Sequence, residues 1–419
     1  MEVGVHIADV SFYVKPGSIL DQEAFERSTS VYLVDRVNPM LPEKLSNELC
    51  SLRPHEDKLT YSAVFIFDKN YKIKDRWFGR TVIHSDRRFS YEEAQNRLDS
   101  GEGEFAEELK ILNQIALKLR EKRFEEGSIG FETEEVQFEL DELGNPKGIF
   151  IKERKDAHLL IEDFMLLANK EVAIYMSKKG VPFVYRIHDQ PDIDKVLELA
   201  VFASNLGFTI QTQSPKSIAK SFNQLVIAGR EDHSLKMLEP LAIRTMAKAA
   251  YSTKNIGHYG LGFSYYTHFT SPIRRYSDVL AHRLLEANLG KETYFAPAVP
   301  LEEKCKHISM QERKAMDAER ESVKYKQVQF MESHIGGIFE GYITGITDRG
   351  FFVELTLTRC EGMVSFAKTS EPFELSNGNL KMTGRISGKE LKMGDPVTVK
   401  VISTDLTKRQ IEFLLLQEE

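Results

Sequence analysis

The pattern of apolar residues changes at about residue 335, and this change constrains the fold. Before that point, amphipathic segments with helical spacing alternate with short runs of β-branched and aromatic residues, which predict strands. After it, apolar and polar residues alternate, glycines stand at the turns, and no long helical pattern remains. This layout is typical of a five-stranded OB-type barrel. We therefore predict an α+β chain with two domains, a mixed helix-and-sheet domain over residues 1–333 and a barrel over residues 334–419.

Three helices of the first domain have clear local signals. Residues 156–180 and, roughly, residues 301–332 have the apolar spacing of long amphipathic helices. A third helix is predicted over residues 271–289, because Ser271 is suited to its N-cap and Pro272 to its first position.

The composition narrows the possible partners and the compartment. The formal charge of −7 argues against a generally basic coat for nucleic acid, but it leaves room for a narrow basic channel, because electrostatic fields act locally. The cysteines Cys50, Cys305 and Cys360 are far apart and have no zinc-ligand spacing, which favours a reducing, intracellular compartment. No run of about 18 apolar residues occurs. We therefore expect a cytoplasmic monomer that does not enter a membrane.

Two adjacent arginines, Arg274 and Arg275, stand in the sequence HFTSPIRRYSD at the start of the predicted helix. Helix N-termini attract anions, so this place suggests docking of a ligand with several phosphates. A plainer interpretation is a surface ion pair between Arg274 and Asp278, which would contribute about 0.3–0.5 kcal/mol. The residues alone leave both interpretations open.

Aromatic residues suggest two further binding elements. Tyr32 precedes a loop that Pro39 and Pro42 make rigid, because proline excludes a regular helix or a central strand there. In the barrel, Phe351 and Phe352 could stack on bases, which is worth about 1–3 kcal/mol per base. The alternatives are a packed connector for the loop and core filling for the phenylalanines, since small barrels need large inward side chains.

Several motifs occur in order along the chain, namely GVHIADVSFYV, TSVYLVDRVNPMLPEKLSNELCSL, DAHLLIEDFMLLAN, YRIHDQP and YTHFTSPIRRYSDVLAHRLL. Together they closely resemble the ribonuclease II/ribonuclease R (RNB) family, and YRIHD and SPIRRYSD make the chain more similar to its bacterial ribonuclease R members. Residues 335–419 resemble an RNA-binding module of the ribosomal S-one type, through stretches such as GGIFEGYITGITDRGFFVEL and MGDPVTVKVISTD. Long motifs in a fixed order make the resemblance specific, and it covers essentially the whole chain.

The resemblance implies an RNB-type catalytic core followed by an OB-fold barrel. It implies a processive, hydrolytic 3′-to-5′ exoribonuclease that degrades single-stranded or structured RNA to nucleoside 5′-monophosphates, with magnesium as the cofactor of the full-length family. Arg274 matches the arginine that contacts the phosphate near the scissile bond, where it would stabilise developing charge. The residues predicted to contact RNA are Tyr32, Phe131, Glu162, Glu319, Arg275, Arg186, Phe351 and Phe352.

The resemblance also implies a role for each of these contacts. Tyr32 matches the aromatic residue that clamps the terminal nucleotide, and Phe131 matches the residue that stacks on bases near the 3′ end. Glu162 and Glu319 match acidic positions in the catalytic cavity, where they would accept hydrogen bonds from ribose hydroxyls and favour RNA over DNA. Arg275 and Arg186 are supporting candidates, as is Asp278.

The metal ligands of the family limit what the resemblance implies. In the family they form an aspartate cluster before the strand that matches VGVHIADVS, which places them upstream of Met1, and this chain contains no Asp-Asp pair. Asp9 is a weak remaining candidate for a ligand. We therefore expect that this chain does not bind magnesium properly and is weakly active or inactive alone. On this hypothesis it is a truncated form that lacks the start of the RNB domain and the N-terminal cold-shock barrels.

Two other functions remain as alternatives. A non-catalytic RNA-binding protein would keep the RNA channel and the barrel without the hydrolytic chemistry. A metabolic enzyme that carries an OB barrel belongs to another class, and the ordered set of motifs disfavours it.

Overall fold

The computed structural model describes residues 1–131, 135–375 and 381–416. It confirms the predicted α+β class, with a mixed helix-and-sheet domain followed by a closed barrel. The α-helices are α1 (Val10–Tyr13), α2 (Ile19–Arg27), α3 (Tyr91–Ser100), α4 (Ala106–Glu126), α5 (Asp156–Lys179), α6 (Ile193–Asn205), α7 (Pro215–Gly229), α8 (His233–Lys236), α9 (Leu238–Thr245), α10 (Tyr276–Glu286) and α11 (Ala298–Glu332).

The strands of the first domain are short except for one long hairpin. They are β1 (Glu2–Ala8), β2 (Val31–Tyr32), β3 (Val37–Asn38), β4 (Asp57–Phe67), β5 (Ile73–His84), β6 (Glu135–Leu140), β7 (Pro146–Lys152), β8 (Tyr185–Ile187) and β9 (Ala250–Ser252). The strands of the second domain are β10 (Ile338–Thr347), β11 (Gly350–Leu355), β12 (Glu361–Ser365), β13 (Phe373–Leu375), β14 (Lys381–Gly384), β15 (Glu390–Lys392), β16 (Pro396–Asp405) and β17 (Gln410–Leu415).

An antiparallel sheet in the order β1-β4-β5 forms the centre of the first domain. Successive side chains of a strand point to opposite faces, and on the inner face of β4 Tyr61, Ala63 and Phe65 are completely buried. They belong to one apolar cluster with residues of α5 and α10. Burying a side chain such as Phe65 contributes about 1.5–3 kcal/mol, so this cluster fixes α10 against the sheet.

Helix α5 confirms the prediction for residues 156–180. Its buried face includes Leu160, Phe164, Leu167 and Val172, at the spacing of an amphipathic helix. It ends at Gly180, which has a φ of 67°, a left-handed conformation that glycine adopts without steric cost.

The second domain is a closed barrel with the strand order β10-β11-β12-β17-β16. This confirms the prediction of five strands. A separate three-stranded sheet, β13-β14-β15, is inserted between β12 and β16 and was not predicted. Its strands have only three or four residues each, too few to show an alternating pattern in the sequence.

Helix α11 confirms the prediction of a helix near residues 301–332 and joins the two domains. Cys305 and Ile308 are buried in the core of the first domain, whereas Val328 and Met331 are buried in the core of the barrel. The predicted boundary at residues 333 and 334 comes just after the last residue of this helix. Because the same helix supplies both cores, the two domains are packed together along it.

Candidate functional site

The segment before α10 is a turn, so the prediction that a helix begins at Ser271 is wrong. Helix α10 begins at Tyr276, with Arg275 at its N-cap in an extended conformation. The amides of Arg274 and Arg275 both donate to the carbonyl of Ser271, over 3.2 and 3.0 Å. The amide of Ser271 donates to Oδ1 of Asp278 over 2.7 Å. The carboxylate of Asp278 thus caps a tight turn that comes before the helix, where the sequence suggested a cap by Ser271.

Arg275 and Asp278 form a buried ion pair. Nε of Arg275 donates to Oδ2 of Asp278 and Nη2 donates to Oδ1. The Asp278 side chain has no exposure and that of Arg275 is 16% exposed. Burial alone would lower the pKa of Arg275, but the Asp278 carboxylate raises it above its ordinary value. The predicted pair of Arg274 with Asp278 is therefore wrong, because both carboxylate oxygens are bound by Arg275.

Arg274 is the exposed member of the arginine pair. Its guanidinium Nη2 donates to Oγ of Ser271 over 3.3 Å, and it has no carboxylate partner within the described residues. A cation without a counter-ion at the surface is available to an anionic ligand.

Residues 28–30 run antiparallel to residues 274–276. The amide of Ser30 donates to the carbonyl of Arg274 over 3.1 Å, and the amide of Tyr276 donates to the carbonyl of Ser28 over 2.9 Å. Tyr32 follows two residues after Ser30 and is 48% exposed. These backbone bonds bring the segment of Tyr32 beside that of Arg274, although 242 positions separate the two in the sequence.

The loop after Tyr32 is ordered, as its two prolines predict. Strands β2 and β3 form a short hairpin in which Tyr32 is opposite Val37. The amide of Met40 donates to Oγ of Ser30 over 2.9 Å, and Met40 and Leu41 are buried in the main core. The loop that follows the exposed ring of Tyr32 is therefore anchored in the main core.

Helix α11 contacts this hairpin through two side chains. The amide of Tyr32 donates to Oε1 of Glu319 over 2.9 Å, and the amide of Val34 donates to Oγ of Ser322 over 3.1 Å. The structure thus brings the Tyr32 segment into contact with Glu319 on one side and with the Arg274 segment on the other. The sequence analysis did not identify Ser322, although it is three residues after Glu319 and therefore on the same face of the helix.

Arg186 is held by partners of its own. Its Nη1 donates to Oε2 of Glu312 over 2.6 Å, and its guanidinium lies over the ring of Tyr251, 4.7 Å from the ring centroid. Its side chain is only 12% exposed. Arg186 therefore joins β8 to α11, and the ion pair with Glu312 reduces the positive charge that it offers to a ligand.

Glu162 and Phe131 make their contacts with other elements. Glu162 pairs with Arg154 and lies 4.0 Å from Arg123. Next to it, burial raises the pKa of Asp163, although two neighbouring arginines act in the opposite direction.

Phe131 is half-buried in the cluster of α6, α7 and α9, with its ring centroid 5.7 Å from that of a buried phenylalanine. These contacts do not join either residue to Tyr32 or Arg274.

The two adjacent phenylalanines of the barrel have different environments. Phe351 is completely buried in the barrel core, so the prediction that it stacks on RNA is wrong. Phe352 points to the other face of β11 and is half-exposed, opposite Gly345 on β10 and Met363 on β12. Adjacent residues of a strand point to opposite faces, so at most one of the two could meet a base.

Asp9, the weak candidate for a metal ligand, is occupied by protein partners. Its Oδ1 accepts from Oγ of Ser11 over 2.7 Å and from the amide of Phe12 over 3.0 Å, and its Oδ2 lies 2.8 Å from Nε of Arg80. Asp9 therefore caps α1 and forms an ion pair. Across residues 1–131, 135–375 and 381–416, no group of three or more histidine, cysteine, aspartate or glutamate residues is placed to hold a metal ion. The described residues thus do not fit a magnesium site.

Met1 extends the pairing of β1 with β4. The resemblance places the family's metal ligands upstream of this residue. Its amino group donates to the carbonyl of Phe67 over 3.1 Å, and its carbonyl accepts from the amide of Phe67 over 2.8 Å. Its thioether is a soft ligand, whereas magnesium prefers carboxylate, carbonyl and water oxygens. Met1 therefore pairs with the end of β4, and the position of the family's aspartates upstream of it stays a prediction.

A helix that crosses a bilayer needs about 20 consecutive, mostly apolar residues. None of the helices in the described part of the chain is long and apolar enough to cross a bilayer.

Comparisons with known proteins match both domains. Residues 1–291 match the family model described as RNB domain, and residues 332–415 match the one described as S1 RNA binding domain. The chain is 39% identical over 426 residues to ribonuclease R of Aquifex aeolicus, which covers 99% of this chain and 60% of that relative. It is 33% identical to ribonuclease R of Escherichia coli over 99% of this chain and 53% of that relative. The chain therefore spans less than two-thirds of the length of these two relatives.

A solved structure of Mycoplasma genitalium RNase R in complex with ribose-methylated single-stranded RNA has the same fold. The TM-score is 0.91 at 29% sequence identity, over 99% of this chain and 67% of that one. The same ribonuclease in complex with double-stranded RNA gives a TM-score of 0.85 at 28% identity.

Proposed function

Since the chain belongs to the ribonuclease II/ribonuclease R (RNB) family, we propose that it binds the 3′ end of RNA and serves its 3′-to-5′ hydrolysis to nucleoside 5′-monophosphates. The relatives named ribonuclease R support this, as do the structures of one of them with single-stranded and double-stranded RNA. The observation that carries the proposal is the antiparallel pairing of residues 28–30 with residues 274–276, because it brings the segment that carries an exposed aromatic ring beside the segment that carries an exposed cation.

We assign the base contact to Tyr32. Its ring is exposed on the hairpin, and an aromatic ring stacks on any base with a gain of about 1–3 kcal/mol. Glu319 offers its second carboxylate oxygen to a ribose hydroxyl, since Oε1 is already bound by the amide of Tyr32. A contact to the 2′-hydroxyl would favour RNA over DNA at the terminal nucleotide.

We assign the phosphate contact to Arg274. Its guanidinium is exposed and has no carboxylate partner in the described residues, so it would stabilise charge that develops on the phosphoryl oxygens. Arg275 would act indirectly, because Asp278 binds its guanidinium. Its role would be to hold the shape of the turn that carries Arg274. Arg186, Glu162, Phe131 and Phe352 remain candidates for contacts further along the RNA.

Magnesium, which the family implies, stabilises the attacking and leaving oxygens of phosphoryl transfer when it is bound. The described residues contain no group of three or more carboxylate, histidine or cysteine side chains that could hold it. Weak or absent hydrolysis by this chain alone therefore remains our prediction. The same observation favours a second candidate, a protein that binds the RNA 3′ end without cleaving it.

The test measures binding and hydrolysis of the same RNA. A single-stranded oligoadenylate with a 5′ fluorophore should bind the chain more tightly than the DNA of equal sequence. Tyr32→Ala should weaken binding by about 1–3 kcal/mol, whereas Tyr32→Phe should bind as the unchanged chain does. Tyr294→Ala is the matched control, because Tyr294 is 51% exposed on another loop.

Each outcome separates the candidates. Stepwise shortening from the 3′ end in the presence of magnesium supports the exoribonuclease. Tight binding of intact RNA without shortening supports the binding protein. No preference for RNA, or equal losses with Tyr32→Ala and Tyr294→Ala, would contradict both.

A further inference from the structure

The segment around Tyr32 is hydrogen-bonded along both of its edges. On one edge, the amide of Leu33 donates to the carbonyl of Arg36 across the hairpin, over 2.9 Å. On the other edge, the amides of Tyr32 and Val34 donate to Glu319 and Ser322 of α11. Alternate amides of an extended segment point to opposite edges. Two side chains of a helix therefore occupy the place that a neighbouring strand would take.

The same helical turn is also joined to the barrel. Oε2 of Glu321 lies 2.7 Å from Nη1 of Arg409, which stands in the turn between β16 and β17. Further along the helix, Val328 and Met331 enter the barrel core. Residues 319–322 thus contact the Tyr32 hairpin and the barrel at once.

Ser322 is the side chain of this turn whose role can be isolated. It is neutral and half-buried, and the amide of Val34 is its hydrogen-bond partner outside its own helix. Glu319 differs, because its charge and its second oxygen could meet RNA directly. A change at Ser322 therefore alters how the hairpin is held without removing a charge from the site.

We propose that Ser322 is a positioning residue that fixes the Tyr32 ring for stacking on the 3′-terminal base. This inference rests on the proposed function of Tyr32. Loss of the hydroxyl releases the Val34 amide, which widens the range of orientations of the hairpin. The phosphate contact of Arg274 is made on a separate segment, so it persists while the stacking contact weakens.

The first test is made without RNA. Ser322→Ala should accelerate hydrogen exchange of the peptide that contains Val34 by about tenfold, the factor expected for the net loss of one hydrogen bond. Ser322→Thr keeps a hydroxyl and should restore slow exchange. Ser204→Ala is the matched control, because Ser204 is an exposed helical serine whose hydroxyl donates to the carbonyl of Val201 in its own helix. Unchanged exchange in Ser322→Ala would overturn the proposal whether or not the chain binds RNA.

The second test uses RNA with 2-aminopurine as its 3′-terminal base, whose fluorescence falls on stacking. The unchanged chain and Ser322→Thr should quench the fluorescence strongly. Ser322→Ala should lose at least about half of that quenching, because the quenching reports stacking of the Tyr32 ring on the terminal base. Overall affinity, from a fluorophore at the 5′ end, should fall by less than it does in Tyr32→Ala, because the phosphate contact of Arg274 persists and stacking is lost only in part. Equal quenching by Ser322→Ala, or equal loss in Ser322→Thr, would overturn the positioning role. Absence of any binding by the unchanged chain would instead contradict the proposed function.

Discussion

Arg275 donates to both carboxylate oxygens of Asp278 over 2.9 Å each, and this pair leaves Arg274 as the exposed arginine of the turn. Two identical neighbours in the sequence thus have different environments. One is largely buried and paired with a carboxylate, and the other faces solvent beside the Tyr32 segment. The roles that we propose for them follow from this difference.

Asp278→Ala should destabilise the first domain strongly. It removes the partner of a buried guanidinium and the acceptor of the Ser271 amide, and breaking a buried ion pair costs about 3–5 kcal/mol. Asp317→Ala is the control, because its side chain is 74% exposed and its loss should change stability by less than about 0.5 kcal/mol. Urea denaturation measures both variants. Equal midpoints would show that the pair with Arg275 does not stabilise the fold.

Arg274→Ala should reduce the salt dependence of RNA binding. Each phosphate contact to single-stranded nucleic acid contributes about 0.7 to the slope of log K against log salt. Arg274→Lys keeps the charge and should keep the slope. Lys118→Ala, at an exposed position of α4, controls for a general loss of positive charge. A slope that Arg274→Ala leaves unchanged would rule out a phosphate contact by this residue.

His258 should make the fold less stable in acid. Its ring centroid is 5.0 Å from that of His188 and 5.3 Å from that of Tyr266. Burial, with smaller contributions from His188 and Arg186, lowers its pKa from 6.5 to about 3. As the pH falls below 6.5, the unfolded chain binds a proton at His258 that the folded chain does not bind until about pH 3. Stability is therefore lost across this window, at about 1.4 kcal/mol per pH unit for this histidine.

The measurement for His258 is the free energy of unfolding between pH 7 and pH 4. His258→Phe keeps a ring in the cluster and should make the decline with acid shallower. His84→Gln changes an exposed histidine and serves as the control. If His258→Phe and the unchanged chain decline in parallel, the ring is not kept neutral by its site.

Met331→Ala should loosen the barrel even though the residue lies on α11. The side chain is completely buried in the barrel core, where methionine-to-alanine changes cost about 2–5 kcal/mol. Hydrogen exchange of peptides from β16 and β17 should accelerate. Met316→Ala provides the control on the same helix, since Met316 is 43% exposed. Similar exchange in both variants would mean that the barrel does not depend on the helix.

Local patterns were sufficient to predict the long helices and the barrel. The apolar spacing along α5 and α11 gave their extent, because a helix repeats its buried face every few residues. Phe351 was misassigned because alternation shows that two faces differ, but not which of them is the core. The start of α10 was misplaced because the carboxylate of Asp278 caps the turn before it.

The site depends on contacts that sequence spacing cannot supply. Tyr32 and Glu319 are 287 residues apart and meet only through the fold, so their proximity was implied by the family resemblance alone. Ser322 was missed because a serine inside a helix has no pattern of its own. Its proposed role rests on the hydrogen bond from the amide of Val34, which lies 288 positions away in the sequence.

Helix α11 also fixes the rotational phase between the two domains. Ile308 faces the first core and Val328 faces the second, and twenty residues separate them. At roughly 100° per residue, they are turned roughly 200° from each other, so the helix buries nearly opposite sides at its two ends. One inserted residue between them would swing the barrel by roughly 100° and shift it by about 1.5 Å. A substitution in this stretch that keeps the helix also keeps this angle between the domains, but a change in its length would misalign the barrel and the Tyr32 hairpin together.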